Sequence, residues 1–413
     1  MIPLRIGLVG LLGQGNLGND ASLEVMLNHL SSSQPGATVE LLCSGPDEIA
    51  RRFGHGTTQL HWNNHEYETA GSAGSVAAKA LGKLVDIIRI AAWVRRQDVV
   101  IIPGMGVLES NLPLRPWGLP YSLFVVCVAG RIFSASIALV SVGADRITSP
   151  TTRWLITGAA RLAAYRSYRD EHSRHALASM GIDTSRDMVR SDLVFAMPNP
   201  APVASCEPNG VALGIMDYRG GNDDRATADR VHARYVDDIT RFALWLVDQG
   251  HPVRVVTSDR DDEDLARRLV AAVRASRPDR ALEAITTEPS TTLAELMDQL
   301  VQVETVVATR YHTVLSALKL AKPTVSLGYG IKNDVLMASM GLGEFCQPIR
   351  GFDVDRLIEH FRAVRSRRDE LVPRMRAQAT TNAQQLAEQF AVLSTTVMRS
   401  PPRAARSPRA PII

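Results

Sequence analysis

Short apolar runs alternating with helix-spaced segments constrain this chain more than any other feature, and the alternation occurs twice. RIGLVG (5–10) precedes a glycine-rich loop and then ASLEVMLNHL (21–30), whose apolar residues recur at helical spacing. ATVELLCSG (37–45) reads as the next strand, and DVVIIPGMG (98–106) follows the amphipathic AAKALGKLVDIIRIAAWVRR (77–96). SASIALVSVGAD (134–145), RLAAYRSYRDEHSRHALASMG (161–181) and DMVRSDLVF (187–195) complete this half. Near-continuous apolar strands are buried on both faces, as in a parallel sheet covered by helices.

Periodicity vanishes at AMPNPAPVASCEPNG (196–210), where four prolines meet Asn and Gly. It restarts with VALGIMDY (211–218), a long helix ending at Gly250, HPVRVVTSD (251–259) and the acid-led helix from Asp261. Two shorter units lie around TTLAELMDQL and VETVVATRYHTVLSAL. The pattern predicts an N-terminal α/β domain over 1–200 and a second over 208–350. Helices over 351–398 and a disordered Pro/Arg-rich tail over 399–413 follow. The predicted class is α/β, with two Rossmann-like doubly wound domains facing across a cleft in a GT-B-like arrangement. Ligands of such sheets bind at the carboxyl ends of the strands.

Composition excludes several function classes. A formal charge of +3 with no long basic run inside the folded part argues against nucleic-acid binding. The four cysteines are scattered without a CxxC pair, which fits a reducing compartment and argues against structural zinc. LPYSLFVVCVAGRIFSASIALVSVGA is interrupted by Arg131 and reads as a buried helix and strand rather than a membrane span. The sequence runs straight into its first strand, so no signal peptide is predicted, and the expected location is cytoplasmic.

Candidate chemistry concentrates where strands give way to helices. In ATRYHTVLSALKLAKPTVSLGYGIK (308–332), Arg310 and His312 sit between a strand and a helix. A helix N-terminus favours anions, Arg310 offers a planar fork, and His312 can carry a proton near neutral pH. An N-capping turn with a solvated Arg and a satisfied His explains the same spacing equally well. GLLGQGNLGND (10–20) is glycine-dense but lacks the Lys-Ser/Thr of a P-loop. Gly15 and Gly18 would let the backbone approach a ligand, while Asn16 and Asp20 either bond sugar hydroxyls or cap the turn and helix. Gly104 and Gly106 in IIPGMGVLE either pack a tight turn or touch a ligand. Arg169 either reaches a ligand or pairs with Asp170 or Glu171. His61 and His65, with Glu66 beside them, lack a third metal ligand at a familiar spacing. The acids of SDRDDEDLA are explained as the opening of a helix rather than as a cation site.

Taken in order, GQGNLGND, DVVIIPGMGVLE, SYRDEHSRHALASMGI with SDLVF, and TRYHTVLSALKLAKPTVSLGYGIKNDVLMASMGL resemble the polysaccharide pyruvyl transferase family. The resemblance spans roughly residues 4–350. Two departures stand out. Asn19 occupies a position where the family usually has an acid, and Gly104-Met105-Gly106 replaces a three-glycine turn. The resemblance implies transfer of a pyruvyl group from phosphoenolpyruvate onto two sugar hydroxyls, forming a cyclic ketal and releasing phosphate. It implies His312 and Arg310 as catalytic residues, His312 being the general acid, with Arg169, Arg310 and Lys332 as donor-binding cations, and Gly15, Asn16, Gly18, Asp20, Gly104 and Gly106 as acceptor or loop contacts on the N-terminal side. The acceptor would be a polysaccharide, oligosaccharide or glycolipid, with no cofactor or metal and at most peripheral membrane contact. A nucleotide-sugar glycosyltransferase of the same architecture and a catalytically silent relative are the alternatives.

Overall fold

The computed structural model describes residues 3–62, 73–109, 116–201 and 207–398. His65 and Glu66 of the paired-histidine segment, and the Pro/Arg-rich end, lie outside the described residues. The chain divides into two compact units. The first comprises 1–14, 22–193 and 385–413; the second comprises 15–21 and 194–384.

In the first unit the strands are β1 (Arg5–Gly10), β2 (Thr38–Cys43), β3 (Gly56–Gln59), β4 (Val99–Pro103), β5 (Ser136–Val142), β6 (Tyr165–Tyr168) and β7 (Met188–Val189). Between them run α1 (Leu17–Ser33), α2 (Pro46–Phe53), α3 (Ala73–Arg95), α4 (Leu119–Phe133), α5 (Pro150–Leu162) and α6 (Glu171–Ser179). All pairings are parallel, in the order β3-β2-β1-β4-β5-β6-β7. The central strands β4 and β5 are buried at every position, which is what apolar runs such as VVIIP and SIALVSV require.

The second unit holds β8 (Val211–Gly214), β9 (Val253–Val256), β10 (Ile285–Thr287), β11 (Thr305–Ala308), β12 (Thr324–Gly328) and β13 (Cys346–Pro348). Its helices are α7 (Ala228–Asp248), α8 (Glu263–Ser276), α9 (Ala281–Ala284), α10 (Leu293–Val301), α11 (Tyr311–Lys319) and α12 (Ile331–Ser339). The order β10-β9-β8-β11-β12-β13 is again parallel and reverses direction between β8 and β11. That reversal is the position at which open α/β sheets bind ligands.

The chain ends in α13 (Val354–Ser366) and α14 (Arg368–Thr396), and α14 passes from the second unit back to the first at Gln385. Its last turns dock by a closed polar triangle. Ser141 lies at an irregularity of β5, with φ of 52°. Its Oγ donates to Gln389 Oε1 (3.1 Å), Gln389 Nε2 donates to Ser167 Oγ (3.1 Å), and Ser141 N–H donates to Ser167 Oγ (2.8 Å). All three side chains are fully buried. Gln389→Leu would strip two buried hydroxyls of a partner and is expected to cost about 1–3 kcal/mol, read as a lower urea midpoint.

Within the second unit, buried Lys319 donates to the carbonyl of Phe195 (3.1 Å), and burial lowers its amine to about 8. The unfolded chain, with the amine near 10.5, therefore binds more protons between these values. Stability should rise as pH climbs through that window, with the full penalty present below it. Chemical unfolding of Lys319→Met across the same pH range should lack that rise.

Candidate active site

The loop from β11 into α11 is held on both sides. Thr309 is buried, and both its N–H (3.0 Å) and its Oγ1 (3.2 Å) donate to Gly214 O at the end of β8. Its own carbonyl accepts from Asn333 Nδ2 of α12 (3.2 Å). Arg310 then occupies the N-cap of α11 in extended geometry (φ −67°, ψ 134°), its own side chain making no cap hydrogen bond.

Arg310 is clamped by carboxylates. Its Nε donates to Asp262 Oδ2 (2.7 Å) and an NH2 donates to Asp262 Oδ1 (2.8 Å), a fork-to-fork pair. NH1 stands 3.6 Å from Asp259 Oδ2. Asp262 is wholly buried and also accepts the Asp217 N–H beyond β8 (2.8 Å). Burial opposes the guanidinium charge, but the Asp262 bonds and both carboxylates raise its pKa, so it stays charged. Burial pushes the Asp259 carboxyl up, Arg310 partly reverses this, and the neighbouring Asp262 adds to it.

His312 lies half-buried in the first turn of α11, edge-on to Tyr311 (5.2 Å between ring centroids, 88°). Its ring lies against Gly18, so closely that a Cβ at residue 18 would overlap the imidazole. Gly18 belongs to the 15–21 segment, which packs with the second unit rather than with the sheet whose first strand precedes it. The segment is tied down by Leu17 N–H to Ser258 O (3.1 Å), Arg260 N–H to Gly15 O (3.2 Å) and Asn16 Nδ2 to Asp259 Oδ2 (3.1 Å). Asn16 Oδ1 accepts the Asn19 N–H (3.1 Å), so of the two roles open to Asn16 the structure displays the cap. Asp20 is buried in the following turn. Lys332, in the first turn of α12, places Nζ 4.9 Å from the Tyr329 ring and 5.7 Å from the Tyr311 ring. A cavity of about 740 Å³ opens at the ends of β12 and β13, with Tyr218, Tyr329, Asp334, Cys346 and Arg350 in its wall.

Arg169 follows β6 in the first unit, buried among acids of its own. It pairs with Glu109, with Asp170 Oδ2 (3.4 Å) and with Asp192 Oδ2 (3.8 Å). Gly106 and Gly143 pack against the Glu109 carboxylate, and Gly143 also against the Arg169 guanidinium. Met105 is buried with φ of 63°, and its thioether lies against Gly10. The middle of this turn thus takes the left-handed backbone that favours glycine, which fits the three-glycine turn that the resemblance leads one to expect here.

The family model for polysaccharide pyruvyl transferase matches residues 16–331, from the segment beneath His312 to the first residue of α12. The chain belongs to the polysaccharide pyruvyl transferase family. No curated protein matches this family member in sequence. Solved structures place its fold in the GT-B class. UDP-GlcNAc 2-epimerase from Methanocaldococcus jannaschii aligns at TM-score 0.62 and 10% identity, covering 95% of this chain and 99% of that one. MurG of Acinetobacter baumannii aligns at 0.56 and 11%, covering 94% and 100%. The spinosyn rhamnosyltransferase SpnG aligns at 0.53 and 14%, covering 96% and 100%.

In this pyruvyl transferase family member the expected cations divide. Arg310, His312 and Lys332 stand in one unit, with Gly15, Asn16, Gly18 and Asp20 beside them in the same unit. Arg169, Gly104 and Gly106 stand in the other. The acids of SDRDDEDLA do more than open a helix, because Asp259 and Asp262 face Arg310. Glu109 and Asp192 were not singled out from sequence, although both lie inside stretches that carry the resemblance. Among the described residues no group of three or more His, Cys, Asp or Glu is placed to hold a metal ion.

Asp262→Ala would leave a largely buried guanidinium without its main partner and is expected to destabilise the protein by about 3–5 kcal/mol in denaturant unfolding. Adding Arg310→Met should recover much of that loss, because the cost comes from the charge left behind.

Proposed function

We propose that the chain transfers a pyruvyl group from phosphoenolpyruvate to two hydroxyls of a glycan or glycolipid sugar, closing a cyclic ketal and releasing phosphate. The observation that carries this reading is the pairing at the start of α11. An immobilised arginine and a histidine flank the N-terminus of α11, at the switch point of the sheet.

The donor brings about three negative charges near neutral pH. The amino end of α11 and the Lys332 ammonium add positive potential, and Arg310 offers its NH1 edge. His312 donates a proton to the donor methylene carbon, and the carbon bearing the phosphate oxygen becomes an oxocarbenium-like centre. One sugar hydroxyl adds there and surrenders its proton. Phosphate then departs with the C–O bonding pair, and the second hydroxyl adds to the same carbon with loss of its proton. The ketal and inorganic phosphate account for every atom, with no oxidant required. General acid help is worth roughly 10²–10⁴-fold, and each fixed donor aimed at developing charge about 3 kcal/mol.

The first-unit cluster suits the acceptor better than the donor. Three carboxylates face one arginine there, an arrangement that accepts hydrogen bonds from hydroxyls and opposes a trianion.

The test is phosphate release from phosphoenolpyruvate in the presence of a glycan panel, with product mass. Acceptor-dependent phosphate and a gain of pyruvate less water are expected. Turnover with a nucleotide-sugar and none with phosphoenolpyruvate would sink the proposal, whereas donor binding without turnover would mark a silent relative. His312→Ala should lower the rate by at least about 10²-fold with donor binding retained. Gly18→Ala, which displaces the ring instead of removing it, should lower the rate while leaving the melting temperature within a few degrees of wild type.

A further inference from the structure

Nine large apolar side chains are exposed among the described residues, and eight of them belong to one region of the first unit. On α3, Leu81, Leu84 and Ile88 recur at i, i+3 and i+7, so they form one stripe, and they are 59%, 59% and 69% exposed. The stripe continues across neighbouring elements. Trp62 lies against α3 at Gly82 (3.7 Å from an ideal Cβ there) and is 56% exposed. The Tyr121 hydroxyl of α4 donates to Lys83 O of α3 (2.8 Å), and exposed Trp117 tilts against the Tyr121 ring. Farther along, exposed Trp154 of α5 contacts Phe124 of α4 (4.8 Å between centroids).

Charge on these helices is equally one-sided. α3, α4 and α5 together span fifty-one residues, which at the chain's overall frequency would hold about five acids. They hold one, Asp86, and it is buried, facing Lys83 (3.3 Å) and Arg89 (3.6 Å) of its own helix. Arg95, Arg131, Arg153 and Arg161 are all exposed. A layer with exposed Leu, Ile and Trp, exposed arginines and no exposed acid has the composition of an interfacial membrane surface. Tryptophan favours the headgroup level, and basic residues favour anionic lipid. A second copy of the chain would bring the same positive charge to the contact, which opposes self-association.

We propose that the α3–α5 face docks on the surface of an anionic phospholipid bilayer. The face lies without spanning: among the described residues no helix is long and apolar enough to cross a membrane. The inference stands on surface chemistry and goes beyond the proposed reaction.

The experiment is cosedimentation of the full chain with phosphatidylcholine vesicles, with or without about one-third phosphatidylglycerol. Binding to the anionic vesicles is expected, weakening as salt is raised. Leu84→Glu with Ile88→Glu should lower it by about tenfold or more, with circular dichroism and melting unchanged. Arg131→Glu with Arg153→Glu should reduce the preference for anionic over neutral vesicles. The proposal is overturned if neither vesicle is bound, or if the Leu84/Ile88 variant binds as wild type. It is equally overturned if binding depends only on residues 399–413, or if the variant instead dissociates a dimer in sedimentation velocity. Vesicle binding is read without turnover, so its failure and the failure of the pyruvyl-transfer reading are separate results.

Discussion

The bidentate pair between Arg310 and Asp262 organises the second unit's site. Asp262 accepts from the backbone beyond β8, sits at the start of α8 beyond β9, and holds the residue that follows β11. One carboxylate therefore joins the carboxyl ends of three adjacent strands, on both sides of the point where strand order reverses. The pair is largely desolvated, and its worth is better measured in geometry than in stability. A buried ion pair contributes little net free energy, yet either partner alone is costly. What it secures is an arginine that cannot swing. A group aimed in advance at developing charge needs no reorganisation during the reaction.

The same constraint gives the glycine density near residue 15 a part in supporting a side chain. Asp259, the second acid beside Arg310, accepts from Asn16 and so fixes the 15–21 segment against the loop beyond β9. Gly15 has φ of +91° and approaches Arg260, which admits no Cβ without displacement. Gly18 then lies flat beneath His312. The segment thus acts as a floor under the imidazole, linked through one asparagine to the acids that clamp the arginine. Arg310 and His312 share a single support, and a change in either part of it moves both.

Alternating periodicity was enough to read two doubly wound sheets, because central strands such as VVIIP and SIALVSV are buried on both faces and look it. The outer strands GTTQ, ITT and CQP are short and polar, as edges are, and carry no comparable pattern. Arg310 and His312 were visible through their place between a strand and a helix. Their supports were not. Asp262 lies forty-eight positions from Arg310, in a run of acids that ordinary helix-dipole chemistry already explains. The return of α14 to the first unit was equally silent, because it turns on Gln389 meeting Ser141 and Ser167, three residues of types that are unremarked on any surface.

The two arginine clusters look alike in sequence and differ in charge. Around Arg169 the carboxylates of Glu109, Asp170 and Asp192 outnumber the guanidinium, in a setting buried enough for that imbalance to be felt. Around Arg310 two carboxylates face one guanidinium at the amino end of α11, and burial pushes one of those acids, Asp259, toward its neutral form. On the reading proposed above, a multiply charged phosphate ester would suit the second environment better than the first, and the carboxylates of the first would suit hydroxyls. The resemblance grouped Arg169, Arg310 and Lys332 on one anion. The carboxylates each arginine keeps are the physical ground on which the proposed reading separates Arg169 from the other two.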